Sequence, residues 1–366
     1  MMPNKTPTAQ ERYKDVSCQH GGYWRDDFID HNYLYNLYFP PEDFFNHCTE
    51  KLHELVLNYP VAQNELAHLT GQLIQQPPEQ IVVGNGAAEL IKIIAGMNRQ
   101  MIVPVPSFNE YVNAAPEGKV IEFPLQAPSF QLDVDSFAEE AIRRGARIAV
   151  VVSPNNPTSL LVPKAELIRL LKILDEHNCI LIVDESFIDF AENGESKSLE
   201  NDVGDFQNLA IIKSMSKAYG ICGIRIGYLL TANKHFRALV QQGLHIWNIN
   251  GFAEEFLRLA PKYKQQFKKS CEKVQEDRDE FYTLLSLIPG MVVYKPTANY
   301  IFCRLPDSGP SAPEATERLF VEHNIYIKHC QGKTLPESDR YVRIASRTKK
   351  ENLELTLALQ TVLERV

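Results

Sequence analysis

The chain predicts an α/β fold: a large domain with a mostly parallel sheet covered by helices, and a smaller α+β domain after it. Three observations carry that expectation. Short apolar runs without polar alternation, such as Met101–Val105 and Ile148–Val152, recur between segments of helical periodicity, as strands buried on both faces do. Polar residues gather just beyond those runs, where open α/β sheets keep their ligand sites. Beyond Thr231 the character shifts to charged helices mixed with strands of antiparallel type.

With 366 residues, 44% of them apolar, the chain can bury a large core, and it divides into an arm over 1–41, a large domain over 42–265 and a small domain over 266–366. Residues 1–40 read as irregular, because their many aromatics follow neither helical nor period-two spacing and suit a segment lying over another surface. Helices are predicted over 42–57, ahead of Asn58-Tyr59-Pro60, and over 64–73, ahead of Pro77-Pro78. A strand over 81–83 runs into Gly84-Asn85-Gly86-Ala87-Ala88-Glu89 and a helix over 90–97. A glycine turn that opens a helix with small residues bares backbone N–H groups at the positive end of the helix dipole, which suits a phosphate.

Met101–Val105 ends in Pro106-Ser-Phe-Asn-Glu-Tyr111, and Ile148–Val152 ends in Ser153-Pro-Asn-Asn156-Pro-Thr158. An amphipathic helix over 164–176 leads to a strand over 179–183, closed by Asp184, and a strand over 209–212 leads to Lys217. In the second domain a long charged helix over 262–288 precedes strands over 291–294, 300–304, 325–328 and 341–345, and a helix over 349–366 ends the chain.

The run from Ile211 to Tyr228 organises the rest. Lys217 stands between apolar stretches, where partial burial lowers an amine's pKa and frees it as a nucleophile toward an aldehyde. Ser214, Ser216 and Arg225 surround it with groups suited to a dianionic phosphate. Asp184 is the carboxylate that directly ends a buried strand, as needed to keep a pyridine nitrogen protonated. Tyr111 offers a flat face for stacking, and Asn156 offers a donor for a ring hydroxyl. Arg343, on the strand over 341–345, suits bidentate capture of a carboxylate, and Arg347 suits a phosphate.

Composition narrows the field further. Net charge is −8 with no basic run, which argues against nucleic acid as a partner. The first residues are polar and no run approaches ~18 apolar residues, so neither a signal peptide nor a membrane span is expected. Seven scattered cysteines without a C-x-x-C pair read as reduced thiols of a cytoplasmic enzyme, and the ten histidines show no metal-ligand spacing.

Taken together, G-N-G-A-A-E-L at 84–90, P-S-F-N-E-Y at 106–111, S-P-N-N-P-T at 153–158, D-E-S-F at 184–187, S-M-S-K at 214–217, G-I-R-I-G-Y at 223–228, A-N-Y at 298–300 and R-I-A-S-R at 343–347 resemble the ordered motifs of the class I/II aminotransferases, which are fold-type I pyridoxal-phosphate enzymes. The resemblance spans about residues 55–366. It implies that Lys217 carries the internal aldimine, Asp184 binds the pyridine nitrogen, Asn156 the ring oxygen, and Tyr111 stacks on the ring. It implies a phosphate held at Gly86, Ala87 and Ala88 and by Ser214, Ser216 and Arg225, with Tyr59 reaching the phosphate of a neighbouring subunit in a homodimer. Within the family the chain is similar to histidinol-phosphate aminotransferases and, more strongly, to threonine-phosphate decarboxylases, which implies a small phosphorylated amino substrate touched by Arg343, Arg347, His20 and Asn36. Transamination of an amino compound bearing a phosphate or phosphonate is the leading expectation, with α-decarboxylation of an amino acid phosphate as the alternative. A sensing regulator of this fold would carry a DNA-binding segment, and residues before the core show no such spacing. Three departures stand out: Ser159 where the family has glycine, Phe187 where most aminotransferases have tyrosine but the decarboxylase-like members also have phenylalanine, and an arm over 30–41 that lacks the usual Asn-x-Asn-Pro pattern of either subgroup.

Overall fold

In the computed structural model, which describes residues 7–19 and 21–364, the chain forms two compact units. One comprises Tyr35–Gln275 with Thr297–Asn299; the other joins the described residues up to Leu34 to Glu276–Pro296 and to the chain from Tyr300 onward. The boundaries read from the sequence, 41/42 and 265/266, stand beside breaks at 34/35 and 275/276. The second break lies inside the continuous helix Lys264–Ser286, where no change of composition marks it.

The large unit is built on a seven-stranded sheet. Its order is Ile81–Gly84, Gly227–Leu230, Leu209–Ser214, Ile180–Asp184, Ile148–Val152, Met101–Val105, Val120–Pro124. Gly227–Leu230 is antiparallel to both neighbours, and every other pair is parallel. The reversal has a local cause: the segment joining Leu209–Ser214 to Gly227–Leu230 holds only the four-residue helix Met215–Ala218, too little for a parallel crossover. Successive residues feed opposite faces. Val83, Val151, Val183 and Ile211 pack against Leu167, Leu170, Leu171 and Leu174 of helix Lys164–Asp175. Val82, Val150, Ile182 and Ile212 pack against Leu90, Ile91 and Ile94 of helix Gly86–Ala95 and against Phe236 and Val240. Burial on both sides explains why these strands read as unbroken apolar runs.

The small unit holds a four-stranded antiparallel sheet ordered Lys328–His329, Tyr341–Ala345, Tyr300–Arg304, Val292–Val293. Ile301, Cys303 and Ile344 pack with Phe281, Leu285, Leu355 and Leu359. Ile29–Asp30 pairs in parallel with Ile325–Tyr326.

Several elements differ from the sequence expectation. The stretch read as irregular contains helix Ala9–Cys18, opened by a capping box in which Thr8 and Glu11 bond each other's backbone N–H. The helix expected over 42–57 is two, Glu42–Glu50 and Leu52–Leu57, broken at Lys51. Strand Val120–Pro124 and helix Val134–Arg143 were not anticipated, and the helix expected from Leu90 begins at Gly86.

Gly227 lies where strand and helix approach most closely: a Cβ there would stand 2.7 Å from Ala87 N and 2.8 Å from Lys213 O. Gly227→Ala is expected to cost about 1–3 kcal/mol of stability through overpacking, read from urea unfolding midpoints.

Candidate active site

The polar ends of the parallel strands converge as α/β sheet topology requires. Asp184 closes the strand Ile180–Asp184, paired to Ile148–Val152 on one side and Leu209–Ser214 on the other, and is only 4% exposed. Its Oδ2 accepts from the Tyr111 hydroxyl at 2.9 Å and its Oδ1 from the Ser186 N–H at 3.0 Å. Burial pushes the Asp184 carboxyl above the usual carboxylate range, and the bonds from Ser186 and Tyr111 and the charge of Lys217 pull it back. Tyr111 is wholly buried, and burial and then the Asp184 charge raise its pKa far above a free phenol's. The sequence assigned Tyr111 a stacking face alone; the structure adds its hydroxyl to the support of Asp184.

Arg225 adopts φ +61°, the left-handed region, and its Nη1 donates to Ser216 Oγ at 3.1 Å and to Cys222 O at 3.2 Å. Gly86, at φ +72°, receives the same guanidinium: a Cβ there would sit 2.3 Å from Arg225 Nη2. Gly86 begins helix Gly86–Ala95, and the preceding Asn85 makes no side-chain cap, its amide donating instead to Asn248 O at 2.8 Å. The first turn of that helix, Gly86, Ala87 and Ala88, therefore lies beside Arg225 without a side-chain cap.

Lys217 is half-buried in the helical turn Met215–Ala218. Asn36, which the sequence placed at the substrate, braces that turn: its N–H donates to Lys217 O at 2.9 Å and its amide to Ala218 O at 2.9 Å and Ser270 Oγ at 2.7 Å. Asn156 is buried in the loop after Ile148–Val152. Its neighbour Asn155, which sequence reasoning missed, stitches two strand ends together by donating to Pro106 O and Thr158 Oγ1 while accepting from the Ser107 hydroxyl. The doubled asparagine of S-P-N-N-P was the available signal. Ser159 holds the glycine-like φ of +61° and accepts the N–H groups of Thr297 and Ala298 on its hydroxyl at 3.0 and 2.9 Å. Tyr59 is exposed and stacks on Trp247 at 4.2 Å.

Arg343 and Arg347 belong to the small unit. Arg343 Nη2 donates to Asn32 O and Oδ1 at 2.7 and 2.8 Å. Arg347 bonds Glu351 through Nε and Nη2 and Asp30 O through Nη1. His20 lies outside the described residues.

A buried carboxylate flanked by a lysine, and a glycine cradle under an arginine beside bare helical N–H groups, fit pyridoxal phosphate, whose ring nitrogen, aldehyde and phosphate require those three features. The fold is thus fold type I of the vitamin B6-dependent proteins, and the site suits that cofactor. The chain belongs to the aminotransferase class I and II family, whose model matches residues 56–359, and its cofactor is pyridoxal 5'-phosphate. It is 38% identical, over 97% of its length, to the CMP-5'-(3-aminopropyl)phosphonate synthase of Streptomyces rubellomurinus, but spans only 56% of that relative. It is 30% identical to the L-serine phosphate decarboxylase of Sulfurospirillum multivorans, covering 86% of this chain and 82% of the relative. Among solved structures, the histidinol-phosphate aminotransferase of Clostridium acetobutylicum superposes with a TM-score of 0.83 at 28% identity, covering 91% of this chain and 98% of that one. Among the described residues no helix is long and apolar enough to cross a membrane, and no cluster of His, Cys, Asp or Glu is arranged to hold a metal.

Two outcomes follow from this geometry. Gly86→Ala forces a methyl against Arg225 and strains a left-handed residue, so cofactor affinity should fall by about 1–3 kcal/mol, roughly tenfold to a hundredfold, in a pyridoxal phosphate titration. Glu185, wholly buried beside Asp184, has its carboxyl pushed up to about 7, first by burial and then by the Glu200 charge. A raised acid pKa binds more protons folded than unfolded, so its stabilisation is complete below the ordinary carboxylate range and is lost as pH climbs through about 7. Unfolding midpoints of Glu185→Gln should accordingly change less over that interval than those of the parent protein.

Proposed function

We propose that this chain acts on a small α-amino acid bearing a phosphate or phosphonate and removes its α-carboxylate as carbon dioxide. The reading is supported by Phe187, buried three residues after Asp184, where the chain resembles decarboxylases and not the tyrosine-bearing aminotransferases. Supporting it too is the identity to a relative named L-serine phosphate decarboxylase over most of both chains.

Bound pyridoxal phosphate supplies an electron sink for the bond broken at Cα. Asp184 would hold a proton on the ring nitrogen, Asn156 would donate to the ring oxygen, and Tyr111, whose hydroxyl steadies Asp184, would offer the ring a flat face. Gly86, Ala87, Ala88, Ser214, Ser216 and Arg225 bind the cofactor phosphate. Lys217 would hold the cofactor's aldehyde carbon, and its amine would supply the proton that Cα takes in place of the carboxylate. Arg343, aimed by Asn32, takes the substrate carboxylate. Arg347 and His20 serve the substrate phosphate, and Asn36 acts through the Lys217 turn.

Transamination is the second reading, favoured by the superposition on a histidinol-phosphate aminotransferase. It uses the same groups, with Lys217 moving the α-proton. A homodimer suits the exposed Leu57, Tyr59, Ile246 and Trp247 of the large unit, with Tyr59 reaching the cofactor phosphate of the second copy. A cytoplasmic location suits seven cysteines that are all thiols.

Incubation with carboxyl-labelled L-serine phosphate and L-threonine phosphate separates the readings. Label released as carbon dioxide without an oxo-acid acceptor is expected; conversion of the cofactor to its pyridoxamine form, with label retained, makes the enzyme an aminotransferase. Lys217→Ala should lower turnover by about 10³-fold, and Arg343→Ala should raise KM on the order of 10²-fold.

A further inference from the structure

One group near the site has no part in the chemistry above. Lys213 precedes Ser214 on the strand Leu209–Ser214, four residues before Lys217, and is only 8% exposed. Alternation along the strand sends its side chain to the face opposite Ser214, so it is no ligand for the phosphate that Ser214 is assigned. Its Nζ stands 3.0 Å from Asp189 Oδ1 and 3.7 Å from Glu200 Oε1. Tyr228, its cross-strand partner, donates its hydroxyl to that same Glu200 oxygen. Glu185 completes the shell, accepting from the Ser198 hydroxyl at 2.5 Å and the Leu199 N–H at 2.8 Å. Burial alone lowers the lysine's pKa, but Asp189, Glu200, Tyr228 and Glu185 outweigh it and keep the ammonium charged. Tyr219 and Cys271 also feel that charge.

Such a cluster is a poor way to gain stability. Taking one ammonium and three carboxylates out of water carries a desolvation cost that an apolar side chain of similar size avoids. What the ions supply is direction. Glu185 follows Asp184 directly, Asp189 stands on the turn Ile188–Phe190 just beyond, and Lys213 abuts the Ser214–Lys217 segment. Ser186 closes the circuit: its N–H donates to Asp184 Oδ1 and its Oγ accepts the Ser214 N–H at 2.9 Å. The strand ending at Asp184 and the strand leading into the Lys217 turn are thus clamped to each other.

We propose that Lys213 is a positioning residue for the cofactor, setting through Asp189, Glu200 and Glu185 the spacing between the Asp184 carboxylate and the Ser214–Lys217 turn. Lys213→Met/Asp189→Asn removes both ends of the closest ion pair without leaving either charge alone. Melting temperatures are measured with and without pyridoxal phosphate, and cofactor release is followed by the loss of visible absorbance on dilution. A positioning role predicts about tenfold faster release and a smaller rise in melting temperature on loading, with Lys213→Arg restoring most of both. A purely structural role lowers the loaded and cofactor-free melting temperatures equally and leaves release within twofold of the parent, which overturns the proposal. Should the double variant not fold, Asp189→Asn alone is read by the same two measurements against Lys213→Arg as the charge-preserving control, and release from Asp189→Asn within twofold of the parent overturns it.

Discussion

A carboxylate at the dry end of the central strand is the constraint on which the large unit turns. An ionised Asp184 left alone there would be strongly disfavoured, and the protein surrounds it with the Tyr111 hydroxyl, the Ser186 N–H and the charge of Lys217. Ser186 follows on the same strand end, but Tyr111 and Lys217 arrive from two others, so the sheet order itself decides whether the acid can stay charged. Parallel strands on both sides bring the loops carrying Asn156 and Ser214 alongside. The same burial that disfavours the charge would strengthen the pairing with a ring nitrogen that we propose for it, because little solvent screens it.

Much of this was legible in the residues. Met101–Val105, Ile148–Val152, Tyr300–Arg304 and Tyr341–Ala345 fall where unbroken apolar runs and strand-end polar clusters placed them. What escaped was set by contacts distant in sequence. Val120–Pro124 is an edge strand with a mixed polar pattern, and its register comes from Met101–Val105. The family resemblance set Asn36 at the substrate, and the fold adds that its amide is engaged by the Lys217 turn, 182 positions away at Ala218. Lys213 lies just past the strand expected over 209–212, and only the fold discloses the three acids around it. Helix Ala9–Cys18 is a different case: Thr8 and Glu11 announce it locally, and the surrounding aromatics obscured the signal.

Ser159 shows how a departure from the family pattern is accommodated. Glycine is the residue that enters the left-handed region without steric penalty, and serine in its place carries strain. The hydroxyl offsets that strain by accepting two backbone N–H groups from Thr297 and Ala298, a bond set glycine cannot make. The turn keeps its shape while the loop beside Asn156 acquires a tie to the segment just before strand Tyr300–Arg304.

The antiparallel return of Gly227–Leu230 has a further consequence. Because the sheet doubles back there without a crossover helix, the amine of Lys217 and the guanidinium of Arg225 sit on one short connector instead of two independent loops. Under the roles proposed for them, lengthening or trimming that connector would displace the aldehyde and phosphate ends of the vitamin together.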